Sequence, residues 1–190
     1  MKVVALNGSP RKRGNTFHCI KTVFEELMKE GIKTELLQLG GANIHGCRAC
    51  FACYKKKNKR CVQRDNFNAF FNKMLDAEGI IIGSPTYFSN VSTEVKAFID
   101  RAGLVAIAND RILRRKVGAA VVAVRRAGAT HVYSSINYFF GINHMIIPGS
   151  SYWNLGIGRN PGDVLKDKEG IATFRELGKN MAWLMKKLYE

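Results

Sequence analysis

The chain has no apolar run long enough to cross a bilayer, and at its amino terminus only Val3 to Leu6 are apolar before the first turn. A membrane span needs about 20 such residues, and a secretion-signal core needs more than four. A cytoplasmic protein is expected. No internal repeat, low-complexity tract or linker interrupts the sequence, and 190 residues at 46% hydrophobic suffice for one substantial core. A single domain, 1–190, follows. Acidic residues are scarce, 15 against 30 Lys and Arg, for a formal charge of +15. That balance raises nucleic acid as a partner. The basic residues nevertheless fall in short bursts, Lys55 to Arg60, Arg111 to Lys116 and Arg125 to Arg126, without an RNP, zinc-finger or helix-turn-helix signature. Nucleic acid is disfavoured, and an acidic protein partner is equally compatible with the charge. The four histidines, His18, His45, His131 and His144, are scattered, so no catalytic triad is assigned.

What is present is a regular alternation. Apolar, β-branched runs predict strands at roughly 2–7, 32–38, 79–83, 117–124 and 143–148. Helical periodicity lies between and after them, at roughly 16–30, 65–76, 92–103, 130–141 and 170–188. In the last, Ile171, Phe174, Leu177, Met181, Leu184 and Leu188 recur at three- and four-residue steps, the stripe of a helix lying on a sheet. A β-α order repeated five times predicts an α/β fold, an open doubly wound five-stranded parallel sheet with helices on both faces. Ligands of such sheets bind beyond the carboxyl ends of the strands, near the point where strand order reverses.

Three loops at those ends carry chemistry. The first is Asn7-Gly8-Ser9-Pro10-Arg11-Lys12-Arg13-Gly14-Asn15-Thr16. Its small residues let backbone N–H groups face inward, Ser9, Asn15 and Thr16 offer polar side chains, and the helix start favours an anion. Arg11, Lys12 and Arg13 add positive field. The loop lacks both the Gly-Lys-Ser/Thr ending of a triphosphate P-loop and the G-x-G-x-x-G dinucleotide spacing, so a monophosphate fits best. An ordinary βα turn capped by Asn15 or Thr16 is the alternative. The third strand runs into Ser84-Pro85-Thr86-Tyr87-Phe88-Ser89-Asn90: Pro85 stiffens the turn, Tyr87 and Phe88 supply flat apolar surface, and the amides after them can bond the polar edge of a ring. The fourth ends in Arg125-Arg126-Ala127-Gly128-Ala129, small enough for close approach to a flat ligand, or simply a glycine turn with solvated arginines.

Gly8-Ser9-Pro10-Arg11 with Gly14-Asn15-Thr16, Ser84-Pro85-Thr86-Tyr87, Gly149-Ser150-Ser151-Tyr152-Trp153-Asn154 and Pro161-Gly162-Asp163 together resemble the NADPH-dependent FMN reductase family of flavodoxin-like proteins, over nearly the whole chain. The resemblance implies FMN, its phosphate held at Ser9, Arg11, Asn15 and Thr16 within the field of Lys12 and Arg13. It implies the isoalloxazine against Pro85, Thr86, Tyr87 and Phe88, near Ser89 and Asn90, with Arg126, Ala127 and Gly128 closing the site. It also implies a homodimer or homotetramer. Tyr152 and Trp153, placed after the last predicted strand and without an evident core position, are candidates for a subunit contact.

Of five cysteines, four crowd together as C-x2-C-x2-C-x7-C, Cys47, Cys50, Cys53 and Cys61, within an expected insertion at about 40–64 after the second strand. In a reducing compartment such a group reads as metal or redox chemistry before it reads as a crosslink. Three readings stand: ligation of a [4Fe-4S] cluster, redox-active thiols, or zinc. The spacing resembles the iron-sulfur flavoprotein branch of the same family, which implies a [4Fe-4S] cluster beside FMN. Lys55 to Arg60 lie between the third and fourth cysteines and would attract an acidic carrier such as ferredoxin. Cys19, alone on a predicted helix, reads as core. The expected function is an FMN-dependent oxidoreductase exchanging electrons with NAD(P)H or a carrier, in which no side chain need act as acid or base. The alternatives are a plain NAD(P)H-dependent FMN or quinone reductase and, from another class, a non-enzymatic thiol sensor or nucleic-acid-binding module.

Overall fold

The computed structural model describes all residues, 1–190. Five parallel strands, β1 (Lys2–Asn7), β2 (Lys33–Gln38), β3 (Gly79–Pro85), β4 (Val117–Val124) and β5 (Leu155–Ile157), lie in the order β2-β1-β3-β4-β5. The helices are α1 (Asn15–Lys29), α2 (Ala52–Lys56), α3 (Phe67–Leu75), α4 (Thr93–Ala108), α5 (Ala129–Ile142) and α6 (Lys168–Tyr189), with one 3-10 turn at Asp163–Lys166. No helix is long and apolar enough to cross a membrane.

The strand alternation sorts the core into two layers. Ile80 and Ile82 of β3, with Leu6, Ala120, Val122 and Val124, face α3, α4 and α5. Ile81, with Val3, Ala5, Ala119, Val121 and Ala123, faces α1 and α6. Every one of these side chains is buried, which is why the central strands are almost uninterrupted apolar runs. A fully buried Ile or Leu contributes about 1.5–3 kcal/mol against the entropy of ordering it. On α6, Ile171, Phe174, Leu177 and Met181 bury as the periodicity requires, but Met185 takes the last core position and Leu188 is exposed.

One expected strand is wrong. Residues 143–148 do not form the fifth strand: Ile146 alone pairs, making a parallel bridge to Val117. Asn143 and His144 end α5 there, His144 with φ +57°, and Pro148 has no N–H to extend a ladder. The outer edge of the eight-residue β4 is shared between two segments, Ile146 at its start and Leu155–Ile157 at its end. Tyr152 and Trp153 therefore precede the last strand rather than follow it. The five-residue α2, inside the cysteine segment, has no counterpart in the periodicity.

Candidate functional site

Strand order reverses between β1 and β3, and their carboxyl ends are bound together. Gly8 N–H donates to the Gly83 carbonyl at 2.8 Å, and buried Ser92 Oγ donates to the Gly8 carbonyl at 2.8 Å while its N–H donates to Ser84 Oγ at 3.0 Å. The first loop is held from within: Asn7 Oδ1 accepts from Ser9 N–H at 3.2 Å, Ser9 Oγ from Arg11 N–H at 3.2 Å, and Arg11 carbonyl from Gly14 N–H at 2.9 Å. Gln38, at the end of β2, donates to the Ser9 carbonyl at 2.7 Å. Gly40 packs so tightly against this loop that a Cβ would lie 2.3 Å from the Ser9 carbonyl carbon.

Above the switch point a cavity of about 150 Å³ is lined by Ser9, Arg11, Asn15, Thr16, Pro85, Thr86, Tyr87, Arg125 and Arg159, among others. Its charged residues are three arginines, Arg11, Arg125 and Arg159, with no carboxylate. Gly14, the N-cap of α1, offers no side-chain acceptor, so the opening N–H groups of the helix are left for an outside anion. Thr16 Oγ1 is buried and has no hydrogen-bond partner in the protein. A buried hydroxyl normally finds one. An orphan donor, an uncapped helix start and a purely cationic lining are what a phosphate monoester satisfies.

The expected residues divide around this cavity. Ser9, Arg11, Asn15, Thr16, Pro85, Thr86 and Tyr87 line it, Asn15 also accepting from Val164 N–H at 3.3 Å through Oδ1. Lys12 and Arg13 are exposed beside it. Phe88 and Ser89, with φ +47° and +59°, form the tip of a tight turn closed by Tyr87 and Asn90. Phe88 is 106% exposed, a whole aromatic ring in solvent. Arg126, Ala127 and Gly128 line a neighbouring cavity of about 230 Å³ together with Tyr152 and Trp153. The two loops meet where Gly128, at φ +85°, lies against Ser89: a Cβ on it would be 2.4 Å from Ser89 Oγ. Arg159 was not legible as a site residue; the adjacent Pro161-Gly162 turn was the only signal near it.

The cysteines lie elsewhere. All four, Cys47, Cys50, Cys53 and Cys61, line one hollow of about 20 Å³ on the flank of α4, with Arg101, Leu104 and Val105. They remain free thiols, and no three ligand side chains converge as at a metal. By number and kind the donor set suits iron-sulfur ligation. Burial pushes the Cys53 thiol upward. Cys19 is core, as expected, and its burial raises its thiol far beyond the ordinary range, leaving it protonated and inert.

Fold and site together define a flavodoxin-like, flavin-dependent oxidoreductase. Residues 1–160 match the family described as NADPH-dependent FMN reductase, and the chain belongs to that family. It is 37% identical over 193 residues to an iron-sulfur flavoprotein of Methanocaldococcus jannaschii, covering 98% of each chain. It is 36% identical over 173 residues to an iron-sulfur flavoprotein of Archaeoglobus fulgidus, covering 90% of this chain and 83% of that one. Among solved structures, RosB with bound 8-demethyl-8-formylriboflavin-5'-phosphate superposes with a TM-score of 0.81 over 99% of this chain and 80% of that one, at 21% identity, and shares the fold.

Proposed function

We infer that the chain binds FMN at the β1/β3 switch point and, through Cys47, Cys50, Cys53 and Cys61, a [4Fe-4S] cluster, and that it passes electrons between a two-electron donor such as NAD(P)H and a one-electron carrier such as ferredoxin. The observation that carries the flavin assignment is the orphaned Thr16 Oγ1 in a cavity whose charged residues are all arginines. FMN supplies the chemistry, since it accepts a pair of electrons and releases them singly. The protein supplies the rest. Arg11, Arg125 and Arg159 compensate phosphate charge, Thr16 and the α1 N–H groups fix its oxygens, and Pro85 to Phe88 offer the flat surface for the ring. Residues 1–190 form one FMN-binding domain on this reading, with about 40–64 inserted.

The cluster reading is supported by four thiols on one hollow and by the relatives' names. Arg101 and Val105 lie two to three turns along α4 from its start beside the flavin cavity, roughly 12–18 Å at 1.5 Å per residue. That separation favours exchange with the FMN of a neighbouring subunit, in a homodimer or homotetramer to which exposed Tyr152 and Trp153 contribute. The test is anaerobic purification followed by spectroscopy and by iron, sulfide and flavin analysis. One FMN per chain, with about four iron and four sulfide that Cys50→Ser abolishes, is expected. FMN without iron or sulfide after reconstitution leaves a plain FMN or quinone reductase. Absence of FMN binding removes the whole reading.

A further inference from the structure

Arg101 is among the largest fully buried side chains of the protein, an unusual position for a guanidinium on the flank of a helix. Its fork meets Asp65, Nη1 to Oδ2 at 2.5 Å and Nη2 to Oδ1 at 3.0 Å, both side chains 1% exposed. Nη1 also donates to the His45 carbonyl at 3.0 Å, and Asp65 Oδ2 in turn accepts from His45 N–H at 2.9 Å. The guanidinium stacks over the Phe67 ring at 4.3 Å. His45 lies two residues before the first clustered cysteine and Asp65 four after the last. One side chain from α4 thus fastens both ends of the segment carrying all four thiols. The same base is zipped by Asn66 N–H to the Asn43 carbonyl at 3.0 Å and Gln63 Nε2 to the Gly46 carbonyl at 3.1 Å. Between these anchors the chain is held in left-handed backbone at Ala49, Phe51, Lys57 and Lys59, conformations that persist only where the surroundings enforce them.

One polar atom of this assembly is left over. Arg101 Nε is buried and without a partner, and Arg101 lines the hollow shared by the four cysteines. We propose that Arg101 is the positioning residue of the cysteine site: its fork closes residues 45–65 into a ring, and its spare Nε–H serves an anionic sulfur held in the hollow. Its ligand is a sulfur-ligated anion, because a buried N–H beside free thiols lacks a charge-matched acceptor until such a group is present. The ring-closing half stands on the contacts alone. The sulfur-facing half rests on the iron-sulfur reading.

Arg101→Lys keeps a charge opposite Asp65 and loses both the fork and Nε, and two separate readouts test the two halves. In metal-free protein, iodoacetamide labelling of Cys53 and Cys61 followed by mass spectrometry is expected to run at least about tenfold faster in Arg101→Lys, with FMN affinity unchanged. Equal labelling rates overturn the ring closure. In protein reconstituted with iron and sulfide, the midpoint potential of Arg101→Lys is expected below that of the wild type, because hydrogen bonds to cluster sulfur favour the reduced state. An unchanged potential with full iron content overturns the sulfur contact, since losing a hydrogen bond to cluster sulfur lowers the potential. Wild type that takes up no iron removes the iron-sulfur reading and the sulfur contact together, and leaves the ring closure supported or overturned by the labelling. Should Arg101→Lys fail to fold, hydrogen exchange of the wild type decides: the His45 amide is expected to exchange as slowly as the core of α4, and exchange as fast as the amides of the exposed Arg48 and Ala49 overturns the closure.

Discussion

Replacing Thr16 with Val should make the flavin-free protein more stable while making it a poorer flavin binder. The two side chains have nearly the same shape and similar helix propensity, so the substitution removes little besides Oγ1. That atom is buried and unpaired, and such a hydroxyl costs about 1–3 kcal/mol in desolvation. Recovering even about 1 kcal/mol raises the melting temperature of a chain this size by about 2–4 °C. Bound FMN reverses the sign, because a hydrogen bond to a charged phosphate contributes about 1.5–3 kcal/mol, which predicts affinity weakened about 10- to 150-fold. Calorimetry of the flavin-free protein and a flavin-fluorescence titration measure the two effects separately. Lower stability with unchanged affinity would refute the reasoning, since it would mean that Oγ1 serves the fold and not the ligand.

Gly40→Ala should weaken FMN binding at least about tenfold and destabilise the protein by about 1–3 kcal/mol, because its Cβ would lie 2.3 Å from the backbone of Ser9, which must shift; unchanged titration and chemical denaturation would count against it. Phe88→Ala should leave the flavin-free stability unaltered within about 0.5 kcal/mol, since the ring is fully exposed, yet lower flavin affinity; equal affinity would remove Phe88 from the ring site. Burial opposes the charge of Asp65, but Arg101 and the N–H groups of His45 and Phe67 prevail and hold its carboxyl below the ordinary 3.8. Its stabilising contribution is thus complete above that value and is lost as pH falls through the lower, folded one. Asp65→Asn should abolish this acid sensitivity and cost about 3–5 kcal/mol at neutral pH by leaving Arg101 buried and unpaired; denaturation curves at several pH values read both.

The sequence by itself determined the α/β class, four of the five strands, the main helices and the loops that line the cavity at the switch point. Those signals are local: a strand buried on both faces, such as Gly79–Pro85, must be continuously apolar, and a βα turn that receives an anion needs small residues whatever surrounds it. The crowding of four cysteines was equally legible, and the structure places them around one hollow. Tertiary structure decided what depends on partners distant in the chain. The apolar stretch 143–148 and the segment Leu155–Ile157 compete for one edge of β4, and only three-dimensional reach settles which extends the ladder. Arg159 lines the switch-point cavity because the chain leaving β5 at Gly158 packs against Asn15 of α1, not because of its neighbours in sequence. Arg101 looks in sequence like a charge on the solvated face of a helix, and it becomes a buried clamp because folding brings Asp65, 36 residues earlier, within reach of its fork. A charge can be buried only where its counter-charge already is, and that pairing is a property of the packed chain.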